Sequence, residues 1–294
     1  MRVSTPYQYG KYKSDIARAQ SAYLERQSQV STGKRFTKSS EDPYGSASVL
    51  SLSAAKRATE QYAKNLATAK TALSFSDASL DEVGKLLKRA NELAVGGANS
   101  ALTQDGRNAM AAEVGQLMQR LVDLGNSRDA NGDYMFAGQE TDTKPFTFNL
   151  GVLQYNGDSN DITVESGPGE TLKSNVSAST SIMTAYTNLA NLKSSLEGGN
   201  LGQISGVDLA AVKASIDEFL QLRGQVGTSL QRIEQTTNEY TRRIDDFAAR
   251  ISDIEDVDIA EALVEYKQAE NAYNAALNVA SQGFRLSLMD FIRG

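Results

Sequence analysis

The sequence predicts a mainly α fold with a small β part: a long antiparallel helical bundle or coiled coil, with paired helices at the two ends and a β-rich excursion in mid-chain. Three observations predict it. Two apolar seams, from Leu52 to Ala94 and from Val212 to Ile254, step alternately by three and four residues, the coiled-coil period. Helix breakers and large rings are scarce, with 4 Pro and 7% aromatics in 294 residues. Between Tyr134 and Ala178 the apolar period drops to two, among turn-forming Gly and Asn residues.

The elements follow in chain order. Lys11 to Val30 is polar and helix-forming, with Ile16, Tyr23 and Val30 seven apart on one line but Gln20 and Gln27 in the same seam. That face is too poor for a stable isolated helix. Ser31 to Asp42 is a polar, solvated loop whose Lys34, Arg35 and Lys38 form a small basic patch. Asp42–Pro43 starts the next helix, Asp as N-cap and Pro in the first turn. Gly96–Gly97 ends it. A shorter helix carries Met110, Val114, Leu117, Leu121 and Leu124 on one face. After the Asn131–Gly132 turn come the alternating runs Phe146, Phe148, Leu150 and Ile162, Val164. Asn156–Gly157 and Gly167–Pro168–Gly169 punctuate them, a pattern of two hairpins. Helix returns with Ile182, Tyr186, Leu189 and Leu196, and Gly198–Gly199 closes it. Asp208 is placed to cap the second long seam. Two helices of equal length, with only short elements between them, pack most simply side by side and antiparallel.

Asp253 to Asp258 breaks the phase, and a last seam runs through Ile259, Leu263, Tyr266, Tyr273, Leu277, Phe284 and Phe291, with Leu288 on the same helix. The ends thus mirror each other. The expected organisation is terminal helices at 1–42 and 255–294, a helical bundle at 43–133 and 181–254, and a β-rich domain at 134–180. Seven large apolar side chains do not offset the backbone entropy of ordering some thirty residues. Two outcomes stay open: a plain intramolecular coiled coil, or termini that order on assembly. Under the second, the assembly interface is Ile16, Tyr23, Val30, Ile259, Leu263, Tyr266, Tyr273, Leu277, Phe284, Leu288 and Phe291.

Composition excludes much else. There is no His, Cys or Trp. The common zinc, copper and haem ligands are missing, and Ser–His–Asp and Cys–His nucleophile systems are impossible. No cofactor, metal site or catalytic residue is expected. Asp77, Asp81, Glu82, Glu255 and Asp256 lie along helix faces and phase breaks, where carboxylates serve as solvated charges or caps. Asp158 and Asp161 lack the spacing of a twelve-residue calcium loop and read as turn chemistry. A net charge of −6 argues against nucleic acid and anionic membranes. The first ten residues, MRVSTPYQYG, lack an apolar signal core, so export by a cleaved secretion signal is not expected.

Several stretches carry a resemblance. Thr32-Gly33-Lys34-Arg35-Phe36 followed by Ser40-Glu41-Asp42-Pro43 is similar to a segment shared across the flagellin family. Gly132-Asp133-Tyr134-Met135-Phe136-Ala137-Gly138, Thr141-Asp142-Thr143-Lys144-Pro145-Phe146 and Tyr155-Asn156-Gly157-Asp158 resemble the hook–filament junction branch of that family. So do Asp256-Val257-Asp258-Ile259-Ala260-Glu261-Ala262, with Ile259 where that branch usually has Tyr or Phe, and Leu286-Ser287-Leu288-Met289-Asp290-Phe291-Ile292.

The resemblance implies a non-enzymatic structural subunit of the bacterial flagellum that joins hook to filament. It implies terminal helices forming an inner tube, disordered in the free subunit, and an outward β-rich domain. The implied partners are further copies of itself, the first hook-associated protein, flagellin, and an export chaperone on the C-terminal helix. The implied location is extracellular, in the flagellum, after type III export. A short flagellin forming the filament itself is the alternative; a type III needle-tip or adhesin-like helical protein is a more distant one.

Overall fold

The computed structural model describes the backbone of residues 5–293 and the side chains of residue 7 and residues 9–282. Seven α-helices, one π-helical turn and four short strands make up the described chain: α1 (Thr5–Thr32), α2 (Pro43–Gly97), α3 (Gln104–Gly125), β1 (Phe146–Asn149), β2 (Val152–Tyr155), β3 (Thr163–Gly167), β4 (Glu170–Lys173), α4 (Ser179–Glu197), α5 (Leu201–Gln203), the π-turn (Ile204–Asp208), α6 (Leu209–Glu255) and α7 (Ile259–Arg293). They form two compact units, Thr59–Arg242 and the two ends, Met1–Ala58 with Arg243–Gly294. Among the described residues no helix is long and apolar enough to cross a membrane.

Thr59–Arg242 holds the main core. Along α2 the heptad positions Leu66, Ala69, Leu73, Ser76, Leu80, Val83, Leu87, Ala90 and Ala94 are all buried. Val212, Phe219, Val226, Ile233 and Tyr240 face them from α6. The two helices run antiparallel: Tyr62 lies 6.2 Å from Tyr240 between ring centres, and Arg223 reaches Asp77 at 3.1 Å and Asp81 at 2.5 Å. Arg223 occupies a seam position that the period would fill with an apolar side chain. Its guanidinium is instead satisfied by two carboxylates one helical turn apart. Helices α3 and α4 complete the bundle through Val114, Leu121, Ile182, Leu189, Leu192 and Leu196, all in the same cluster. Gly97 ends α2 where a Cβ would collide with Leu196 Cδ2.

The β segment consists of two separate two-stranded antiparallel sheets, β1–β2 and β3–β4. In the first, Phe146 pairs with Tyr155 and is fully buried. Its ring lies against Gly125, where an added Cβ would come within 2.8 Å. Asn126 clamps its backbone from both sides, accepting from Phe146 N–H and donating to its carbonyl, each at 2.9 Å. In the second, Pro168 and Gly169 (φ +74) supply the two-residue turn. Tyr240 hydroxyl donates to the Ser166 carbonyl, holding this hairpin on the bundle.

Two sequence expectations are corrected. Leu150 is not a strand residue: it sits in the hairpin turn at φ +50 beside Gly151 at φ +82. A type I′ turn, one of those matched to strand twist, has positive φ at both positions, and burial of Phe146 fixes which residues occupy them. Asp208 does not cap a helix. The helical path already begins at Leu201, just after Gly199 (φ +66), and Ile204, fully buried, draws the intervening residues into the bundle. Asp208 is therefore inside the π-turn, 2% exposed, and its Oδ2 has no hydrogen-bond partner among the described residues.

Candidate assembly interface

The unit formed by the two ends is built differently. Helices α1 and α7 run antiparallel. Tyr23 hydroxyl lies 3.3 Å from that of Tyr266, and its ring stacks on Tyr273 at 5.8 Å and 12°. Arg26 pairs with Glu265 at 2.9 Å. The hydrogen bond to Tyr266, followed by burial, holds the Tyr23 phenol above the usual tyrosine range.

The two phase breaks meet. Arg35 N–H donates to the Glu255 carbonyl at 2.6 Å and Val257 N–H to that of Gly33 at 2.9 Å, while Lys34 Nζ pairs with Glu255 at 2.6 Å. Gly33, at φ +70, turns the chain there. Asp42 caps α2 by accepting from Gly45 N–H at 2.8 Å, and Asp258 caps α7 by accepting from Ala260 N–H at 2.8 Å. The loop after α1 is more ordered than a solvated basic patch. Gln29, 7% exposed, donates to the Arg35 carbonyl at 2.8 Å, Phe36 is buried, and Arg35 pairs with Asp42 at 3.2 Å. Glu41 accepts from the N–H groups of Thr37 and Lys38, which keep its carboxyl below the usual range.

Among the described residues of this unit only Phe36, Ala262 and Ala280 are buried apolar side chains. Ile16, Tyr23 and Val30 on α1 and Tyr266 and Tyr273 on α7 are half-buried. Ile259, Leu263 and Leu277 are 52%, 49% and 40% exposed. The face of α7 turned to α1 is thus the line Ala262, Tyr266, Tyr273, Ala280, not the larger aliphatics beside it. The Tyr23 ring lies between Tyr266 and Tyr273, and the small Ala262 and Ala280 are the fully covered positions on either side of them. Steps of four, seven and seven residues, from 262 to 266, 273 and 280, keep these four on one helix face and were the available signal. Val264 and Val279, each 57% exposed, lie on other sides of α7, and Leu24 on α1 is 51% exposed. Exposed aliphatic side chains on several sides of one helix form a surface that neighbours can cover. Phe284, Leu288 and Phe291 lie outside the described side chains.

The carboxylates singled out in the sequence are engaged in pairs and caps. Asp77 and Asp81 hold Arg223, Glu82 holds Lys85 at 2.8 Å, Glu255 holds Lys34, and Asp256 accepts from Ser252 hydroxyl at 2.5 Å. Asp158 accepts from Gln139 N–H at 2.8 Å and from Asn160, which lower its pKa, and Asp161 pairs with Lys173.

The mid-chain stretch Gly132–Gly138 is a plug for the bundle. Phe136 and Ala137 are buried, and Arg128 lies 4.2 Å over the Tyr134 ring. Gly138 (φ +71) packs so closely on Asp158 that a Cβ would overlap the Asp158 carbonyl and carboxylate oxygens. Gly157 meets the Ala137 carbonyl in the same way, at 2.6 Å from an added Cβ. The glycines of the two motifs face each other across one backbone contact.

The model of the bacterial flagellin N-terminal helical region matches residues 3–141, and that of the bacterial flagellin C-terminal helical region matches residues 209–292. The chain belongs to the flagellin family. Both matched regions run across the end unit and into the bundle, while the two hairpins and α4 lie outside them. Within the family, the chain is 26% identical to flagellar hook-associated protein 3 of Salmonella typhimurium, over 100% of both chains. Among solved structures, a protein of Vibrio parahaemolyticus described as a flagellar hook-associated protein superposes with TM-score 0.68 at 24% identity, covering 74% of this chain and 100% of that one. The flagellar junction protein FlgL of Legionella pneumophila does so with TM-score 0.57 at 16% identity, covering 71% and 99%. At these identities the structural likeness establishes the fold.

Proposed function

We propose that this flagellin-family chain is the structural subunit that joins the flagellar hook to the filament, and that it assembles through α1 and α7. One observation carries the assembly: a unit of long helices whose buried apolar side chains, among the described residues, are one Phe and two Ala, with Ile259, Leu263, Val264, Leu277 and Val279 exposed. Such a unit is completed by neighbours that cover those side chains. Full-length similarity to hook-associated protein 3 supports the junction over the filament itself, as does the fully built mid-chain plug around Phe136 and Gly138.

The immediate partners are further copies of the chain. The first hook-associated protein is the hook-side neighbour and flagellin the filament-side one. A chaperone on the C-terminal helix escorts the chain through the flagellar type III apparatus. Ile16, Tyr23, Val30, Ile259, Leu263, Tyr266, Tyr273, Leu277, Phe284, Leu288 and Phe291 form the assembly interface. Within it, Tyr23, Tyr266 and Tyr273 pair the two helices, and Ile259, Leu263 and Leu277 meet neighbours. The test is electron microscopy of a strain lacking the gene. Hooks without filaments, with flagellin shed into the medium, are expected. Purified chain that elongates filament fragments without limit would instead make it a filament subunit.

A further inference from the structure

Within the end unit, α2 and α6 carry the half-buried apolar residues Leu52 and Ala55 on α2 and Ile244, Phe247, Ile251 and Ile254 on α6. There an open groove of about 680 Å3 runs between the two helices. Tyr44, Ala47, Ser48 and Leu52 form one wall, Asp253 and Ile254 part of the other. Tyr44 stands at its rim, 90% exposed. The paired antiparallel helices and the small residues of the α2 wall give the groove the form that accepts the ridge of a third helix.

Such a ridge exists on the same unit. Leu50, Ala54 and Arg57 stand on α2 about a third of a turn round from the groove, at 100° per residue. All three are exposed, Leu50 at 67%. From Leu50 to Arg57 the rise is about 10 Å, and the α2 wall from Tyr44 to Leu52 is about 12 Å long. The charges are complementary. Residues 43–58 contain Lys56 and Arg57 and no acid. Arg57 and Asp253 make no ion pair among the described residues, whereas Arg250 of the groove is already held by Asp246 at 2.9 Å.

We propose that this groove receives the Leu50–Arg57 ridge of a second copy of the chain, with Leu50 on the apolar wall and Arg57 against Asp253. Groove and ridge are different surfaces of one helix pair, so the contact is heterologous, the type that runs on from copy to copy around a ring. It rests on the assembly reading above and names a lateral surface outside α1 and α7.

The chain has no Cys, so an introduced one reports a single position. Ser48→Cys marks the groove and Ala54→Cys the ridge. The two variants are expressed separately and together in cells lacking the native gene, and isolated flagella are oxidised. Disulfide-linked dimers are expected only when both variants are present. In the mixture, Arg57→Asp on the ridge chain should lower the dimer fraction several-fold, and Asp253→Arg on the groove chain should restore it. Both variants present in the flagella without dimers, or dimers from either alone, would overturn the lateral contact. Absence from flagella of even the unmodified chain would overturn the assembly reading, and this contact with it.

Discussion

Replacing Gly138 by Ala tests the mid-chain plug most directly. Two costs apply. The first is the positive φ: an L-residue at φ +71 costs about 1–2 kcal/mol. The second is displacement of Asp158, whose carbonyl and carboxylate oxygens occupy the place of the new methyl. Moving it endangers three hydrogen bonds: Gln139 N–H to Asp158 Oδ1 at 2.8 Å, Asp158 N–H to the Ala137 carbonyl at 3.0 Å, and Tyr155 hydroxyl to the Asp158 carbonyl at 2.5 Å. At about 0.5–1.5 kcal/mol each, the second cost is about 1.5–4.5 kcal/mol. Gly132→Ala is the control, since Gly132 is at φ +92 with no atom within 4 Å of an added Cβ. It carries the first cost alone. Gly138→Ala should therefore melt roughly 4–15 °C below Gly132→Ala in a thermal scan followed by circular dichroism. Trypsin should cut it faster at Arg128, at the start of the plug. Equal melting within about 2 °C, with unchanged cleavage at Arg128, would refute the close approach of the two motifs.

Leu121→Ala and Leu189→Ala, each emptying a fully buried site in the bundle, should cost about 2–5 kcal/mol in urea titrations. Leu263→Ala, at a 49% exposed site, should leave that midpoint within about 0.5 kcal/mol yet reduce incorporation into flagella, counted by electron microscopy. Removing residues after Ile254 should leave the bundle's helical signal and its trypsin-resistant core intact while abolishing incorporation; loss of the core would show that the bundle depends on the ends. Asp81 is held below the usual carboxylate range by Lys85 and Arg223, and Glu113 by Arg89. A lowered folded pKa gives stability that is present above the unfolded value, about 4, and lost as pH falls through the folded one. The Asp81→Asn, Glu113→Gln variant should accordingly be less stable than the parent at pH 7 and converge on it below about pH 4; a gap independent of pH would remove these pairs from the acid response.

The pairing of the two end helices was legible because it rests on spacing: Tyr23, in the seven-residue line Ile16–Tyr23–Val30, meets Tyr266 and Tyr273 of α7. What the period could not rank is which of two adjacent lines on α7 turns inward. Hydrophobicity favours Ile259, Leu263 and Leu277, whereas close approach of two helices favours small side chains such as Ala262 and Ala280, and a scale that counts apolar area cannot see the second criterion. The basic loop shows the same limit from the polar side. Lys34 and Arg35 read as a free patch because their partners, Glu255 and Asp42, come from the far phase break and from the next helix cap.

By itself the sequence determined which stretches form the long helices, the Asp42 cap and the Gly97 end of α2, and the position of the β excursion, since these depend on local period and on backbone conformations that few residues tolerate. Only the tertiary structure decided the rest. Burial of Phe146 under Gly125 put Leu150 into a turn. The pull of Ile204 into the bundle placed Asp208 inside a π-turn instead of at a helix start. The fit of Gly138 onto Asp158 joined two motifs twenty residues apart. Each outcome depends on which surfaces are brought together, and a periodic pattern names the apolar face of an element without naming what lies opposite it.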